Sequence, residues 1–122
     1  MRNSPPKNNP AVEKSYSFAL KVIKISHNLK DEKEFEIASQ FLRSGTSVGA
    51  NIQEAQGAQS RKDFINKMSI AYKEIRESIY WIRLLIDSEI GEATELRVLK
   101  DEAVEISKIL SSIIISLSLI HI

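Results

Sequence analysis

The sequence predicts an all-α fold, an antiparallel up-down four-helix bundle, on three observations. Apolar residues recur at alternating steps of three and four along four stretches, capping residues separate those stretches, and no period-two run competes with them. With 122 residues the chain is the size of one compact domain built on a single core. Short connections then make sequence neighbours antiparallel partners.

Residues 1–9 are polar and proline-rich and predict a disordered tail ahead of a bundle domain at 10–122. Asn9 and Pro10 read as N-cap and first helical residue of a helix reaching about Lys30, with Val12, Tyr16, Ala19 and Ile23 as its core line. Asp31 with Glu34 resembles a capping box opening the second helix. That helix aligns Glu34, Ala38, Phe41, Gly45, Val48, Ile52 and Ala55, with a loop at Gly45 as the alternative to a continuous helix. Ser60 with Asp63 opens the third helix, which aligns Phe64, Met68, Ala71, Ile75, Ser78, Ile82 and Leu85. Gly91 suits the position that ends it. The fourth helix, Glu92 to Leu119, carries Leu96, Leu99, Ala103, Ile106, Leu110, Ile113, Leu117 and Ile120 as one seam.

A second apolar surface is left once these lines are placed in the core. Helix 1 sets Phe18, Val22, Ile25 and Leu29 away from its seam, and helix 3 does the same with Ile70, Trp81 and Leu84. These seven residues are the candidate self-association surface, since large apolar patches are rarely left wet. A wide core stripe is the alternative.

Charge is balanced overall, 17 Lys and Arg against 16 Asp and Glu, so a polyanion site requires local clustering. Helix 3 supplies Lys62, Asn66, Ser69, Lys73, Arg76, Tyr80 and Arg83 on one line, and helix 1 supplies Lys14, Ser17, Lys21, Lys24 and Asn28. Lys14, Lys21, Lys24, Lys62, Lys73, Arg76 and Arg83 are the candidate contacts to RNA or DNA phosphates, with plain solvation of the two faces as the alternative. Helix 2 has a polar line of Arg43, Ser47, Asn51 and Glu54 beside Ser44. There Arg43 can meet a carboxylate, Asn51 can bond across to another helix, and Gly45, Gly49 and Ala50 let a neighbouring backbone approach; a polar network fixing bundle register is the competing account.

Other function classes find little support. Without cysteine there is no disulfide framework, thiol nucleophile or Cys zinc site. His27 and His121 are the only histidines, and Glu74 and Glu77 have no Glu-x-x-His companion for a di-iron site. Gly45 to Gly49 lacks the lysine of a phosphate loop. The expectation is a non-enzymatic protein with no cofactor and no metal. The N-terminus has no apolar signal segment, and serines interrupt the apolar run Ile106 to Ile122, so a cytoplasmic protein with no membrane span is expected.

The run Phe41-Leu-Arg-Ser-Gly-Thr-Ser-Val-Gly-Ala-Asn-Ile-Gln-Glu-Ala-Gln56, followed by Ser60-Arg-Lys-Asp-Phe-Ile65 and Ala71-Tyr-Lys-Glu-Ile75, resembles the bacterial four-helix-bundle family encoded in 23S rRNA intervening sequences. Its relatives include the accessory variability proteins of diversity-generating retroelements. The resemblance covers about residues 11–119, and Arg43, Ser44, Ser47, Asn51, Ile52 and Glu54 match its Arg-Ser-x-x-Ser-x-x-x-Asn-Ile-x-Glu core. It implies a ring-like homopentamer and nucleic-acid association; in the retroelement relatives the partners are a reverse transcriptase and its template RNA. Gln56 and Gly57 depart from the family's usual glycine and basic residue, and the chain is less basic than the retroelement relatives. A protein-interaction scaffold docking a partner at Trp81 and Leu84, with no nucleic acid, is the alternative function.

Overall fold

The structure, a computed structural model, describes residues 9–120. The tail predicted at residues 1–9 falls outside it apart from Asn9, as do His121, Ile122 and the side chain of Ile120. The elements are α1 (Pro10–Asp31), α2 (Phe35–Gln56), α3 (Arg61–Asp87) and α4 (Ala93–Ile120), with no strand among the described residues. Each helix packs on its sequence neighbour and α4 returns to α1, whereas α1 and α3 stand diagonally apart, as do α2 and α4. No helix among the described residues is long and apolar enough to cross a membrane.

Local chemistry explains most ends. The Asn9 side chain accepts the Val12 N–H at 3.2 Å, and Pro10 gives up only an N–H that would be orphaned anyway. Ser60 Oγ accepts the Asp63 N–H at 3.0 Å, as its capping pattern predicts. Glu92, just ahead of α4, accepts the N–H groups of Thr94 (3.1 Å) and Glu95 (2.9 Å) through its carboxylate. α2 runs unbroken through Gly45, so the loop alternative falls.

Two predicted boundaries need correction. Asp31 is the last residue of α1, and α2 starts from Glu34, whose side chain makes no capping bond. Lys33 takes a positive φ of 67° instead, with Lys33 N–H donating to the Lys30 carbonyl and Glu34 N–H to the Leu29 carbonyl, both at 2.9 Å. The end of α3 repeats this geometry. Glu89 holds the helix-ending left-handed position (φ 59°) in place of Gly91, which takes its own positive φ of 86° two residues later in the turn, and Ile90 N–H donates back to the Leu85 carbonyl at 2.9 Å. Placing Ile90 against the end of the core fixes which residue must turn, and Glu89 bears the steric cost. Glu89→Gly should therefore raise stability by about 1 kcal/mol, read as a rise of roughly 4 °C in the melting midpoint; an unchanged or lower midpoint would contradict the cap.

The core matches the predicted lines on three helices. Phe41, Val48 and Ile52 of α2, Met68, Ile75, Ile82 and Leu85 of α3, and Leu96, Leu99, Ile106 and Leu110 of α4 are buried. Toward its end α4 is less covered: Ile113 and Leu117 are half-buried.

α1 is rotated relative to the predicted seam. Phe18 and Val22 are 0% exposed, Ile25 4% and Leu29 2%, so the residues assigned to self-association are the core of α1. Tyr16 (66%) and Ile23 (48%), assigned to the core, lie in solvent with Leu20. The reason is in α2. A Cβ on Gly45 would stand 2.6 Å from Val22 Cγ1, and one on Gly49 would stand 3.4 Å from Ser15 Oγ and carbonyl oxygen. The small residues of α2 thus receive Ser15 and Val22 at close range, which turns Phe18, Ile25 and Leu29 inward.

Candidate nucleic-acid interface

The seven predicted cations do not form one surface. Lys14 Nζ lies 3.3 Å from Glu105 Oε2, and Lys21 Nζ 2.5 Å from Glu102 Oε2. α1 therefore turns Lys14 and Lys21 of its basic line toward an acidic flank of α4, and these two charges are countered across the bundle. Lys24 remains exposed on α1. On the diagonal helix, Lys62, Lys73, Arg76 and Arg83 are all exposed, and none pairs with a carboxylate within 4 Å among the described residues.

The partner of the α3 line is α4, which sequence reasoning did not credit. Ser107 and Ser111 of α4 line a surface groove with Tyr72 of α3, together with Lys108, Ser112 and Ile115. Steps of three and four back from Ser111 and Ser107 reach Val104, Lys100 and Arg97, so these share the flank facing α3, opposite the one that carries Glu102 and Glu105. Arg97, Lys100 and Lys108 thus extend the basic line of α3 onto the neighbouring helix. The carboxylates bordering it are Glu77, near enough to Lys73 for that cation to help lower its pKa, Asp87 at the end of α3 and Asp101 on the outer edge of α4. The Arg76 guanidinium carbon sits 5.8 Å from the centre of the Tyr72 ring, a cation–π distance. The signal was available in sequence as Arg97, Lys100, Val104, Ser107 and Ser111, a heptad line without an acid.

The motif line of α2 performs a different task. Arg43 Nη1 donates to Glu74 Oε1 at 3.1 Å and Nη2 donates to Glu77 Oε2, which also accepts the Trp81 indole N–H at 3.0 Å. These bonds raise the Arg43 pKa, with Glu77 the larger influence. Burial alone would push the Glu77 carboxyl up, but the Trp81 and Arg43 hydrogen bonds outweigh it and leave it below the usual carboxylate range. A lowered folded pKa gives stability that is present above the ordinary glutamate range and lost as pH falls through the folded value. Beneath this pair, Ser78 Oγ donates to Ser44 Oγ at 3.0 Å, both buried. Glu54 takes Lys67 Nζ at 3.0 Å and raises that lysine's pKa. Asn51, expected to reach another helix, instead donates to the Ser47 carbonyl of its own helix at 2.9 Å. Arg43, Ser44 and Glu54 therefore bolt α2 to α3, which is the register network weighed against a binding role; Ser47 and Asn51 make no bond to another helix among the described residues.

Of the predicted self-association residues, only those of α3 stay accessible: Ile70 is exposed, and Trp81 and Leu84 are half-buried. Trp81 lines a shallow groove with Phe35 and Ile37 of α2. The accessible apolar line of α1 is Tyr16, Leu20 and Ile23, at steps of four and three.

Comparison with known proteins agrees with this architecture. The family profile described as "23S rRNA-intervening sequence protein" matches residues 7–112. A crystal structure of a protein of unknown function from the S23 ribosomal protein family, from Bacteroides thetaiotaomicron VPI-5482 at 1.70 Å, superposes with a TM-score of 0.82. It is 46% identical, and the alignment covers 85% of this chain and 97% of that one. Among curated proteins nothing matches. With a family profile matching residues 7–112, most of the bundle, this four-helix chain belongs to the 23S rRNA-intervening sequence proteins.

Proposed function

We propose that the protein is a non-enzymatic, cytoplasmic, homo-oligomeric bundle that binds RNA or DNA phosphates through its α3–α4 face without reading bases. The observation that carries this is charge segregation in a nearly neutral chain. Lys62, Lys73, Arg76 and Arg83 share one flank with Arg97, Lys100 and Lys108, while Glu102 and Glu105 are drawn to α1. Released counterions then drive association, and affinity falls with salt at roughly −0.9 per phosphate on a duplex or −0.7 on a single strand. Lys14 and Lys21 leave the predicted contact set, since each already has a carboxylate partner.

Self-association rests on two apolar patches that differ in composition and position: Tyr16, Leu20 and Ile23 on α1, and Ile70 with the Trp81 groove on the α2–α3 side. Unlike patches join head to tail, which generates a closed ring where the rotation permits. The homopentamer implied by the family resemblance is such a ring. A reverse transcriptase with its template RNA is the partner suggested by the retroelement relatives; another protein at Trp81 is the competing reading, favoured by the apolar lining of that groove.

The test is fluorescence anisotropy with labelled structured RNA and duplex DNA across a salt series. Changing Lys73, Arg76 and Arg83 together to Gln should weaken binding and flatten the salt slope by about 2 to 3, with oligomer mass unchanged in light scattering. Unchanged binding would remove α3 from the interface. No binding of the parent at low salt would leave the protein-docking reading.

A further inference from the structure

The groove between α3 and α4 has features that phosphate binding alone does not use. Tyr72 is half-buried in it, with the Arg76 guanidinium over the ring, and Lys108 stands at the rim. Ser107 Oγ is committed to the Val104 carbonyl at 2.7 Å, but Ser111 and Ser112 hydroxyls have no internal hydrogen bond among the described residues. The combination is an aromatic–guanidinium platform, a cation and two free hydroxyls within one groove.

Resting on the reading of this face as a polyanion surface, we propose that the groove is a single-strand nucleic-acid site. An unpaired base stacks on the Arg76–Tyr72 pair, and the adjoining phosphates are held by Lys108 and the Ser111 and Ser112 hydroxyls. Duplex does not fit the same shape. A major groove of about 12 Å admits one helix, whereas α3 is flanked along its length by α2 and α4. A duplex can therefore touch only the cation tips and leaves Tyr72 unused. A single strand presents base faces, and stacking with backbone electrostatics is the physics of single-strand sites.

The experiment uses the full chain with labelled oligo-dT or oligo-U of about 15 nucleotides, a length that spans one site of this kind, and a duplex of equal length, by anisotropy at several salt concentrations. Single strand should bind about tenfold more tightly than duplex at matched salt. Tyr72→Leu should lower single-strand affinity about tenfold with its salt slope unchanged, and circular dichroism establishes that the variant is folded. Lys108→Gln, an exposed change that leaves the core alone, should flatten the single-strand slope by about 0.7. Duplex binding as tight as single strand, or both variants binding single strand like the parent, would overturn the groove assignment while the basic-face reading stood. Failure of the parent to bind either probe at the lowest salt would overturn both.

Discussion

Phe18→Ala should cost about 3–5 kcal/mol of folding stability, a large part of what a domain of this size possesses. The side chain is fully buried and belongs to the same core as Phe41, Ile75 and Leu110. Its loss removes transfer energy and leaves a cavity that helices pinned on both sides cannot fully close. The paired variant is Ile23→Lys. With Ile23 48% exposed, the bundle should keep its helical signal in circular dichroism, and if α1 forms a subunit interface the mass should fall in light scattering. The two results together decide the rotation of α1. A mild Phe18→Ala with an unfolded Ile23→Lys would restore the orientation in which Tyr16 and Ile23 face inward.

Gly45→Leu is the second severe case, with an expected loss of about 3 kcal/mol or more. Even a single methyl at this position would lie 2.6 Å from Val22 Cγ1, 2.8 Å from Cγ2 and 3.1 Å from Cβ, so no Val22 rotamer clears it. Alanine at position 45 gains about 1 kcal/mol of helix propensity, so Gly45→Ala should lose less than the clash alone implies. A double-mutant cycle isolates the contact. Val22→Ala combined with Gly45→Ala should be more stable than the sum of the two changes predicts, by about 0.5–3 kcal/mol, in urea unfolding. Strict additivity would mean that α1 and α2 do not approach at this point.

Three of the four core lines were legible because one apolar stripe dominated each helix, the rival set of α3 having only Ile70, Trp81 and Leu84. α1 has two such stripes. The line Ala11, Ser15, Phe18, Val22, Ile25 and Leu29 is longer than its rival, but Ser15 interrupts it, and a serine counts against a core position in any pattern of apolar residues. In the structure Ser15 is buried because its hydroxyl donates to the Val12 carbonyl at 3.1 Å and because Gly49 leaves room for it. Packing across two helices decided the matter, and one helix's periodicity cannot express that. The same limit applied to charge. Lys14 and Lys21 read as free cations until topology placed Glu105 and Glu102 beside them, while Arg97, Lys100 and Lys108 were hidden among the acids of α4. The Arg43 pair to Glu74 and Glu77 was half legible: the need for a carboxylate followed from sequence, the identity of the carboxylates from the fold.

The seam between α1 and α4 also bears on how the chain assembles. It is the one helix pair joined across the whole sequence, and the two backbones meet there less extensively than at any other seam. Three helical hairpins can form from contacts between neighbours before that last closure, which places most of the folding reaction in local, rapid steps. The converse holds for excursions from the native state. Opening is least costly where α1 leaves α4, so amide protons of α1 should exchange before those of α3, and an opened α1 bares Phe18 and Val22 to the same face of another chain. A bundle that closes in this way carries within its own topology a route to exchanging its first helix between copies.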